Sequence, residues 1–384
     1  RVSFPKPVHM CESWSEPRKG SGIRKVNDVS DPQWKVIGAS GFVGSSIVAR
    51  LNAEGISADP IEAPRLATRA TDPEIIIDEA RRLEGIIDSL ADAFAGAHVI
   101  VNAAGLAAPN MQDLPGLVGA NALLPAVIAI AAQRTGVRRM IHLSSAAVQG
   151  AKPVLDATEY TEPFSAYSFS KALGEECLLD LYDLIEETAA QGRAPGSANS
   201  PYPAAPSHAP AYVAPDHAVE LCILRATSVQ GRGRRTTELF AKMASSPFAS
   251  VAGAGNRKSP VSSSYALAEF TVKLGRFPGQ LPPIVLQPWE GATVNSIMTD
   301  AGRRAPKHLP EWLCRGAIKA GYTVSELLND KFQGSVRKVE LMWFGQELDD
   351  SWARANNLVP EPRVREVLRN AHTALGKKKD KRFH

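Results

Sequence analysis

A glycine-rich turn after an apolar run constrains this chain more than any other feature. Residues 36–48 read VIGASGFVGSSIV. Beyond the turn, Val43, Ile47 and Leu51 recur at the spacing of one helix face. The pattern predicts a strand, a tight turn and a helix N-terminus. The free amide groups and positive dipole at such a terminus suit a diphosphate.

Three glycines have separate tasks in this interpretation. Gly38 permits the turn, Gly41 lets the backbone approach a ligand, and Gly44 lets the helix pack closely on the strand. The spacing is GxxGxxG rather than GxGxxG. Because glycine turns are common, a purely structural turn is the alternative, and features further along the chain must decide.

Strand and helix patterns alternate beyond the turn. Strands are predicted at 34–37, 56–62, 98–102, 139–143 and 219–224, and helices at 44–54, 74–95, 121–135 and 165–191. Asp59 and Pro60 indicate an edge strand or an irregular path. The third strand of a doubly wound sheet is not visible and is expected to be short, displaced or absent. The alternation predicts an α/β fold, a Rossmann-type doubly wound parallel sheet.

The alternation weakens after residue 246. Helices are predicted there at 266–274, 293–301, 310–320 and 360–374, which indicates a smaller, mainly helical C-terminal substrate lobe. We therefore expect a flexible leader (1–33), a dinucleotide-binding domain (34–245), a substrate-binding lobe (246–375) and a basic tail (376–384). A Pro/Ala-rich insertion at 192–215 is predicted to be mobile. It joins a helix to a strand, at the sheet end opposite to ligands, so we predict no part in catalysis.

Composition excludes several classes of protein. The 44 basic and 40 acidic residues give a net charge of +4, which does not argue for nucleic acid. The four cysteines have neither metal-ligand spacing nor the density of a disulfide scaffold. The longest strongly apolar run, 123–132, is too short to span a bilayer, and residues 1–32 lack a signal-peptide pattern. We predict a cytoplasmic protein with no metal site and no membrane partner.

Tyr167 and Lys171 carry the chemical signal. They stand four residues apart in a predicted helix, so their side chains share a face. A lysine ammonium beside a phenol lowers the pKa of the phenol, which would make Tyr167 a general acid/base. Ser144 and Ser145 follow a buried strand and would face the same crevice. For each feature alone the alternative is chance, or ordinary turn chemistry for the serines.

The chain resembles a known family at five segments. With GASGFVG (38–44), the matching pieces are NAAG (102–105), HLSSAAVQG (142–150), YSFSK (167–171) and LRATSVQGRG (224–233). Together they resemble the extended short-chain dehydrogenase/reductase family, in particular its NAD-dependent epimerase/dehydratase branch. The resemblance covers about 34–374, apart from the Pro/Ala-rich insertion.

The resemblance implies roles for individual residues. Tyr167 is the catalytic acid/base, Lys171 holds the nicotinamide ribose and lowers the tyrosine pKa, and Ser145 takes the serine/threonine position. Asn121 falls where a helix asparagine supports a proton-relay water. Ser145, Gln149 and Arg225 are implied on the substrate side. The cofactor-binding residues implied by the motifs are Gly38, Ser40, Gly41, Phe42, Val43, Gly44, Asn102, Ala103, Ala104, Gly105 and Lys171.

Departures from the family pattern narrow the expectation. Ala146 and Ala147 follow Ser145 where family dehydratases have an acidic pair, which counts against a sugar 4,6-dehydratase. Gln149 replaces a frequent tyrosine, and SSSY at 262–265 replaces an HVDD segment. Both changes alter the usual substrate contacts.

The choice between NAD and NADP stays open. Glu62 lies 18 residues after Gly44 (62 − 44), near the place of an acid that binds the adenosine ribose and favours NAD. Arg65 stands three residues further on and would favour NADP by accommodating a 2′-phosphate. Exposed charges at a strand end are the alternative for either residue.

The sequence therefore predicts an NAD(P)-dependent epimerase or ketoreductase that transfers hydride between nicotinamide and a hydroxyl or keto carbon. A nucleotide-activated sugar is the leading substrate, and a steroid- or flavonoid-type alcohol or ketone is the alternative. A non-catalytic dinucleotide-binding sensor or scaffold also stays open, although the intact Ser145, Tyr167 and Lys171 argue against it. Related enzymes often dimerise through the helices at 121–135 and 165–191, which implies a homodimer.

Overall fold

The computed structural model describes residues 33–107, 113–190, 219–328 and 332–380, with the backbone alone at 185–190 and 375–380. The predicted leader, except for residue 33, and the predicted insertion at 192–215 lie outside these residues.

Twelve strands are present in the described part of the chain. In order they are β1 (Trp34–Ile37), β2 (Ala58–Ile61), β3 (Val99–Asn102), β4 (Arg139–Ser145), β5 (Val154–Leu155), β6 (Glu220–Ala226), β7 (Ser228–Gln230), β8 (Ser250–Ala252), β9 (Val261–Ser263), β10 (Ile284–Leu286), β11 (Lys307–Leu309) and β12 (Glu347–Leu348).

Thirteen α-helices accompany them in the same residues. They are α1 (Phe42–Ala53), α2 (Pro73–Arg82), α3 (Glu84–Phe94), α4 (Leu114–Val118), α5 (Leu124–Thr135), α6 (Ala166–Ala190), α7 (Arg235–Ala244), α8 (Ser264–Arg276), α9 (Val294–Gly302), α10 (Glu311–Leu327), α11 (Gln333–Phe344), α12 (Ser351–Ala355) and α13 (Val364–Asp380). A π-helical segment, Gly119–Leu123, joins α4 to α5. Helix α13 carries the chain into the predicted basic tail.

Six strands form one parallel sheet in the order β10-β6-β4-β3-β1-β2. The strand order reverses between β1 and β3, and ligands of such sheets bind beyond the carboxyl ends of the strands at that point. The prediction of a doubly wound α/β fold is confirmed. Strand β2 is the edge strand, as Pro60 indicates, and 62–98 form α2 and α3 in place of a further strand.

Alternate residues of the strands bury two apolar layers. On one face, Ile37 and Ile100 contact the core under α2, α3, α5 and α6. On the other, Val36 and Val101 contact the core under α1 and α8. Near-continuous apolar strands of this kind are expected where helices cover both faces.

Residues beyond 246 contribute to two parts of the fold, a small separate core and the central sheet. Helices α7, α9 and α13 share a small core that includes Val294 and Leu368. However, α8 packs on α1, and β10 is an edge strand of the central sheet. The chain therefore returns to the sheet after entering the predicted substrate lobe.

The helix predicted at 121–135 begins earlier, at Leu114, because Asp113 caps its first turn by accepting from the Gly116 amide. It ends at Gly136, which has a left-handed φ of 66°, as predicted. By length and composition, Leu114–Thr135 is the one helix of the described residues that could cross a membrane. Most of this stretch is buried inside the fold, as in the core helix of a globular domain.

The predicted dimer helices are covered by the chain itself. Helices α2 and α3 pack on α5, and all residues at 124–134 are buried. Helix α2 also packs on α6, where Cys177 Sγ lies 3.9 Å from the Pro73 carbonyl oxygen, and it buries Ile76 and Ile77. Helix α5 therefore offers no exposed face for a homodimer, and the homodimer stays a prediction.

Candidate functional site

The glycine turn lies between β1 and α1, as predicted. Gly41 is the N-cap of α1 and makes no side-chain cap, so no side chain satisfies the first amides of the helix. Gly38 has a φ of 77°, and a Cβ there would lie 2.7 Å from the Ala104 amide nitrogen. A Cβ on Gly44 would lie 2.1 Å from the Gly38 carbonyl oxygen. The tight backbone and the open helix terminus are what a dinucleotide diphosphate requires.

The end of β3 forms the opposite wall of the crevice. The Asn102 amide donates to His142 Nδ1 at 3.0 Å and accepts from the Ala104 amide at 3.1 Å, and both side chains are fully buried. Asn102 therefore shapes the turn and does not itself line the cavity, whereas Ala103, Ala104 and Gly105 do.

Asn121 anchors the loop that continues from this wall. Its side chain accepts from the Leu106 amide at 3.1 Å and donates to the Leu106 carbonyl at 3.0 Å. It also donates to Ser170 Oγ on α6 at 2.9 Å. A Cβ on Gly105 would lie 2.7 Å from Asn121 Oδ1 and 3.2 Å from Lys171 Nζ. Asn121 thus ties the cofactor-side loop to the helix that carries the reactive groups.

The first turn of α6 presents Tyr167. Reciprocal bonds between Ser165 and Ser168 cap this turn, each amide donating to the hydroxyl of the other residue at 2.9 and 3.1 Å. The Ser145 hydroxyl, at the end of β4, acts on the Tyr167 phenol as a hydrogen-bonding group that lowers the tyrosine pKa, and both side chains line one cavity. Lys171 Nζ donates to the Leu143 carbonyl at 2.9 Å. The structure therefore brings together the three residues that the sequence predicted as catalytic neighbours.

Burial and charge act on both titratable groups. Burial raises the pKa of Tyr167, while the Ser145 hydrogen bond and the nearby Arg234 charge oppose that rise. Burial lowers the pKa of Lys171 to about 8, and the carboxylate of Glu175 opposes this change. The Arg234 cation thus favours the phenolate of Tyr167, while the same role for Lys171 stays a prediction.

Arg234 is a site residue that the sequence analysis missed. Its guanidinium lies 4.5 Å from the ring centroid of Phe42, at the start of α1, and it donates to the Val229 carbonyl. It lines the same cavity as Tyr167. The available signal was the pair Arg234 and Arg235, which directly follows the last family segment (224–233).

A cavity of about 380 Å³ opens at this end of the sheet. Its charged lining residues, among those that the structure describes, are Lys171, Arg234, Arg337 and Lys338. Arg337 is buried and donates to the Gly150 carbonyl at 2.9 Å, but its Nε has no acceptor. Since α11 brings Arg337 in from far along the chain, no local pattern could have indicated it.

Two predicted substrate contacts lie away from the cavity. Gln149 is fully buried, where its Nε2 donates to Asp156 at 2.8 Å and its Oε1 accepts from the Asp156 amide at 2.9 Å. Arg225 is fully buried and paired with Glu175. The prediction of direct substrate contact is corrected for both, because their polar groups are occupied inside the protein.

The ends of β1 and β2 meet at the glycine turn. The Gly38 amide donates to the Ile61 carbonyl at 3.3 Å, so the next residue, Glu62, stands beside the turn. Glu62, Arg65 and Ser40 are all exposed. Glu62 is thus placed for an adenosine ribose, and Arg65 follows on an irregular segment.

Comparison with protein families identifies the first half of the described chain. The model described as the NAD dependent epimerase/dehydratase family matches residues 34–185. The matched stretch includes the glycine turn, Ser145, Tyr167 and Lys171. Among curated proteins, no sequence matches the chain.

Solved structures with this fold cover most of the chain. MoeE5 in complex with UDP-glucose and NAD has 16% identity and a TM-score of 0.55, covering 90% of this chain and 99% of that one. UDP-glucuronic acid 4-epimerase from Bacillus cereus, in complex with NAD, has 14% identity and a TM-score of 0.55, covering 89% and 99%. WbmG from Bordetella bronchiseptica, in complex with NAD and UDP, has 15% identity and a TM-score of 0.54, covering 92% and 96%. At these identities the likeness shows a shared fold.

Proposed function

We propose that the protein is an NAD-dependent epimerase of a nucleotide-activated sugar, because residues 34–185 match the model of the NAD dependent epimerase/dehydratase family. The observation that carries the proposal is the placement of Tyr167, Ser145 and Lys171 beside the glycine turn, within one crevice. A ketoreductase that runs the same chemistry once, in one direction, is the close alternative.

The cradle for the cofactor fits a dinucleotide. The uncapped amides of α1 at Phe42 and Val43 would hold the diphosphate, and Glu62 would bind the adenosine ribose. Lys171 would hold the nicotinamide ribose. When bound, NAD supplies a hydride acceptor at nicotinamide. We propose NAD rather than NADP because Glu62 directly follows the strand that is bonded to Gly38.

The protein side chains manage the proton. Ser145 would hold the reacting oxygen of the sugar and orient it toward Tyr167, which lines the same cavity. Tyr167 would take the hydroxyl proton as the alcohol becomes a ketone, and would return it when the ketone is reduced. Arg234 favours the phenolate form that this exchange requires. In an epimerase, both faces of the ketone must meet the same Tyr167.

The charge of the cavity supports a nucleotide sugar. Its described lining carries Lys171, Arg234, Arg337 and Lys338 and no acidic side chain. A diphosphate would satisfy the buried Arg337 Nε, which has no acceptor. Among the described residues, Arg337 alone of these cations has a carboxylate partner, Glu340 at 2.7 Å. A neutral steroid or flavonoid would bring no negative charge to the others, whereas a diphosphate would. The neighbours solved with UDP-glucose and with UDP are consistent with this substrate class.

The test combines cofactor analysis with a substrate panel. Mass spectrometry of freshly purified protein would identify a retained dinucleotide, and a panel of nucleotide sugars with C4 epimers would report turnover. We expect Tyr167→Phe to lower kcat by about 10²- to 10⁴-fold, while Tyr265→Phe, at an exposed tyrosine, leaves it unchanged. Residual activity in Tyr167→Phe equal to that of the wild type would refute the mechanism.

A further inference from the structure

A buried ion pair lies directly behind the reactive side chains. Glu175 on α6 and Arg225 on β6 are 1% and 0% exposed. Arg225 Nη2 donates to Glu175 Oε2 at 2.7 Å, and its Nε lies 3.1 Å from the same oxygen. Arg225 also donates to the Asp156 carbonyl at 3.1 Å and to the Thr158 carbonyl at 2.5 Å. The pair thus joins a helix, a strand and a loop at the site end of the sheet.

The second oxygen of Glu175 reaches the strand that carries Ser145. Ser144 Oγ donates to Glu175 Oε1 at 2.5 Å, and Ser144 is buried. Ser144 immediately precedes Ser145, which lines the cavity with Tyr167. Glu175 therefore fixes the position of α6, which carries Tyr167, relative to the end of β4.

Glu175 also lies one helical turn beyond Lys171, on the same face of α6. Its carboxylate favours the charged form of Lys171 against the effect of burial on the lysine pKa. The charged and titratable groups around Lys171 are Glu175 and Tyr167 on α6, His142 on β4, Arg225 on β6 and Arg234 after β7. Among these only Glu175 brings a negative charge at neutral pH.

We propose that Glu175 is a positioning residue, held by Arg225 and Ser144, that sets Tyr167 and Ser145 in register and keeps Lys171 in its ammonium form. This role rests on the proposed function, because it assigns Glu175 to the same site. Glu175 does not line the cavity. It acts through Lys171 and through the backbone at Ser144.

The chain provides a matched control at the other end of β6. Glu220 pairs with the buried Arg139, whose Nε donates to Glu220 Oε2 at 2.6 Å. Both carboxylates pair with a buried arginine, but Glu220 begins β6 and lies away from Lys171. Glu175→Gln and Glu220→Gln thus each remove the carboxylate charge that pairs with a buried arginine, one at each end of the central sheet.

The experiment follows the titration of Lys171 itself by NMR of protein labelled with ¹³Cε-lysine, and Lys171→Met assigns the resonance. It uses the protein without substrate, so a failed substrate panel does not affect it. We expect a wild-type midpoint near pH 8, a midpoint at least about one pH unit lower in Glu175→Gln, and an unchanged midpoint in Glu220→Gln. Glu175→Asp, which keeps the charge, should restore most of the difference.

Two results would overturn the proposal. One is an equal midpoint in the wild type and Glu175→Gln, which would leave Glu175 with a structural role only. The other concerns the wild type alone, and so holds even if Glu175→Gln does not fold. A Lys171 that is neutral at pH 7 would show that Glu175 does not keep it charged.

Discussion

Two buried arginines, Arg139 and Arg225, lie at opposite ends of the central sheet, and their hydrogen bonds serve different purposes. Arg139, at the start of β4, donates to Glu220 and to the carbonyl oxygens of Leu274, Gly275, Phe277 and Gly279 at 2.6 to 3.2 Å. These bonds tie the end of α8 and the loop after it to the strands. At the amino end of the sheet, the arginine closes the fold.

Arg225, near the end of β6, has an equally complete set of partners, but its surroundings differ. It pairs with Glu175, which lies one helical turn beyond Lys171, and Lys171 lines a cavity together with Arg234, Arg337 and Lys338. Burial and the Lys171 charge lower the pKa of His142, which keeps it neutral. The comparison shows that the same kind of ion pair ties a helix end to the strands at one end of the sheet and lies behind a cation-rich site at the other. Such a cluster of like charges is a local conflict of the kind expected where a ligand binds.

The largest expected change in stability follows from a substitution at the amino end of the sheet, where Arg139 lies. Arg139→Met should lower the free energy of unfolding by about 3 to 5 kcal/mol, because it leaves Glu220 without its buried partner. Urea denaturation would measure the loss. Arg138→Met, at the exposed neighbour, should change stability by less than about 0.5 kcal/mol. Equal losses of stability in the two variants would show that the buried bonds of Arg139 do not close the amino end of the sheet.

At the site end of the sheet, we expect a substitution to raise the free energy of unfolding instead of lowering it. The pKa of Lys171 falls from its ordinary 10.5 to about 8 on folding, so the folded state disfavours its charge. Lys171→Met should therefore raise the free energy of unfolding at pH 7 by about 1 to 3 kcal/mol, although dinucleotide affinity falls. Lys242→Met, on the exposed side of α7, is the control and should leave both quantities unchanged.

The pH dependence of this gain follows from the two pKa values. Between pH 8 and 10.5 the unfolded chain binds more protons at Lys171 than the folded protein does, so wild-type stability rises with pH relative to Lys171→Met. The gain is complete below pH 8 and fades toward pH 10.5. Denaturation at several pH values would test this sign, and a gain that grows with pH would contradict it.

The smallest effect is expected at Arg234, which is only partly buried. Arg234→Met should raise the pKa of Tyr167 further, because the Arg234 charge favours the phenolate. Absorbance at the phenolate band, taken as a difference from Tyr167→Phe, would show a shift of about one pH unit or less. Arg235→Met, at the exposed next residue, should produce none.

The features that the sequence predicted correctly are local. A few consecutive residues suffice to recognise the glycine turn, each apolar strand, and the four-residue spacing of Tyr167 and Lys171. Ser145 could be placed because strand ends of a parallel sheet share one edge. Arg337 and the contact of Arg234 with Phe42 depend on the chain returning from far away, which no short window contains.

Arg225 and Gln149, whose predicted substrate contacts are corrected above, show what a motif does not predict. Arg225 and Gln149 stand in segments that resemble the family, and the resemblance places them near the substrate. What a side chain touches depends on its partners, and Glu175 and Asp156 occupy these two polar groups inside the protein. A position within a motif predicts the neighbourhood of a residue more reliably than its contacts.

The return of the chain to the sheet has a consequence for biosynthesis. Trp34 is 1% exposed in the finished protein, and its indole lies against Gly275 of α8. At ribosomal rates of about 5 to 20 residues per second, roughly ten to fifty seconds separate the synthesis of these two residues. During that interval one apolar face of the nascent sheet lacks its helix, and β6 has an open edge until β10 emerges. The order of translation thus leaves an apolar face and a strand edge exposed for longer than local contacts take to form.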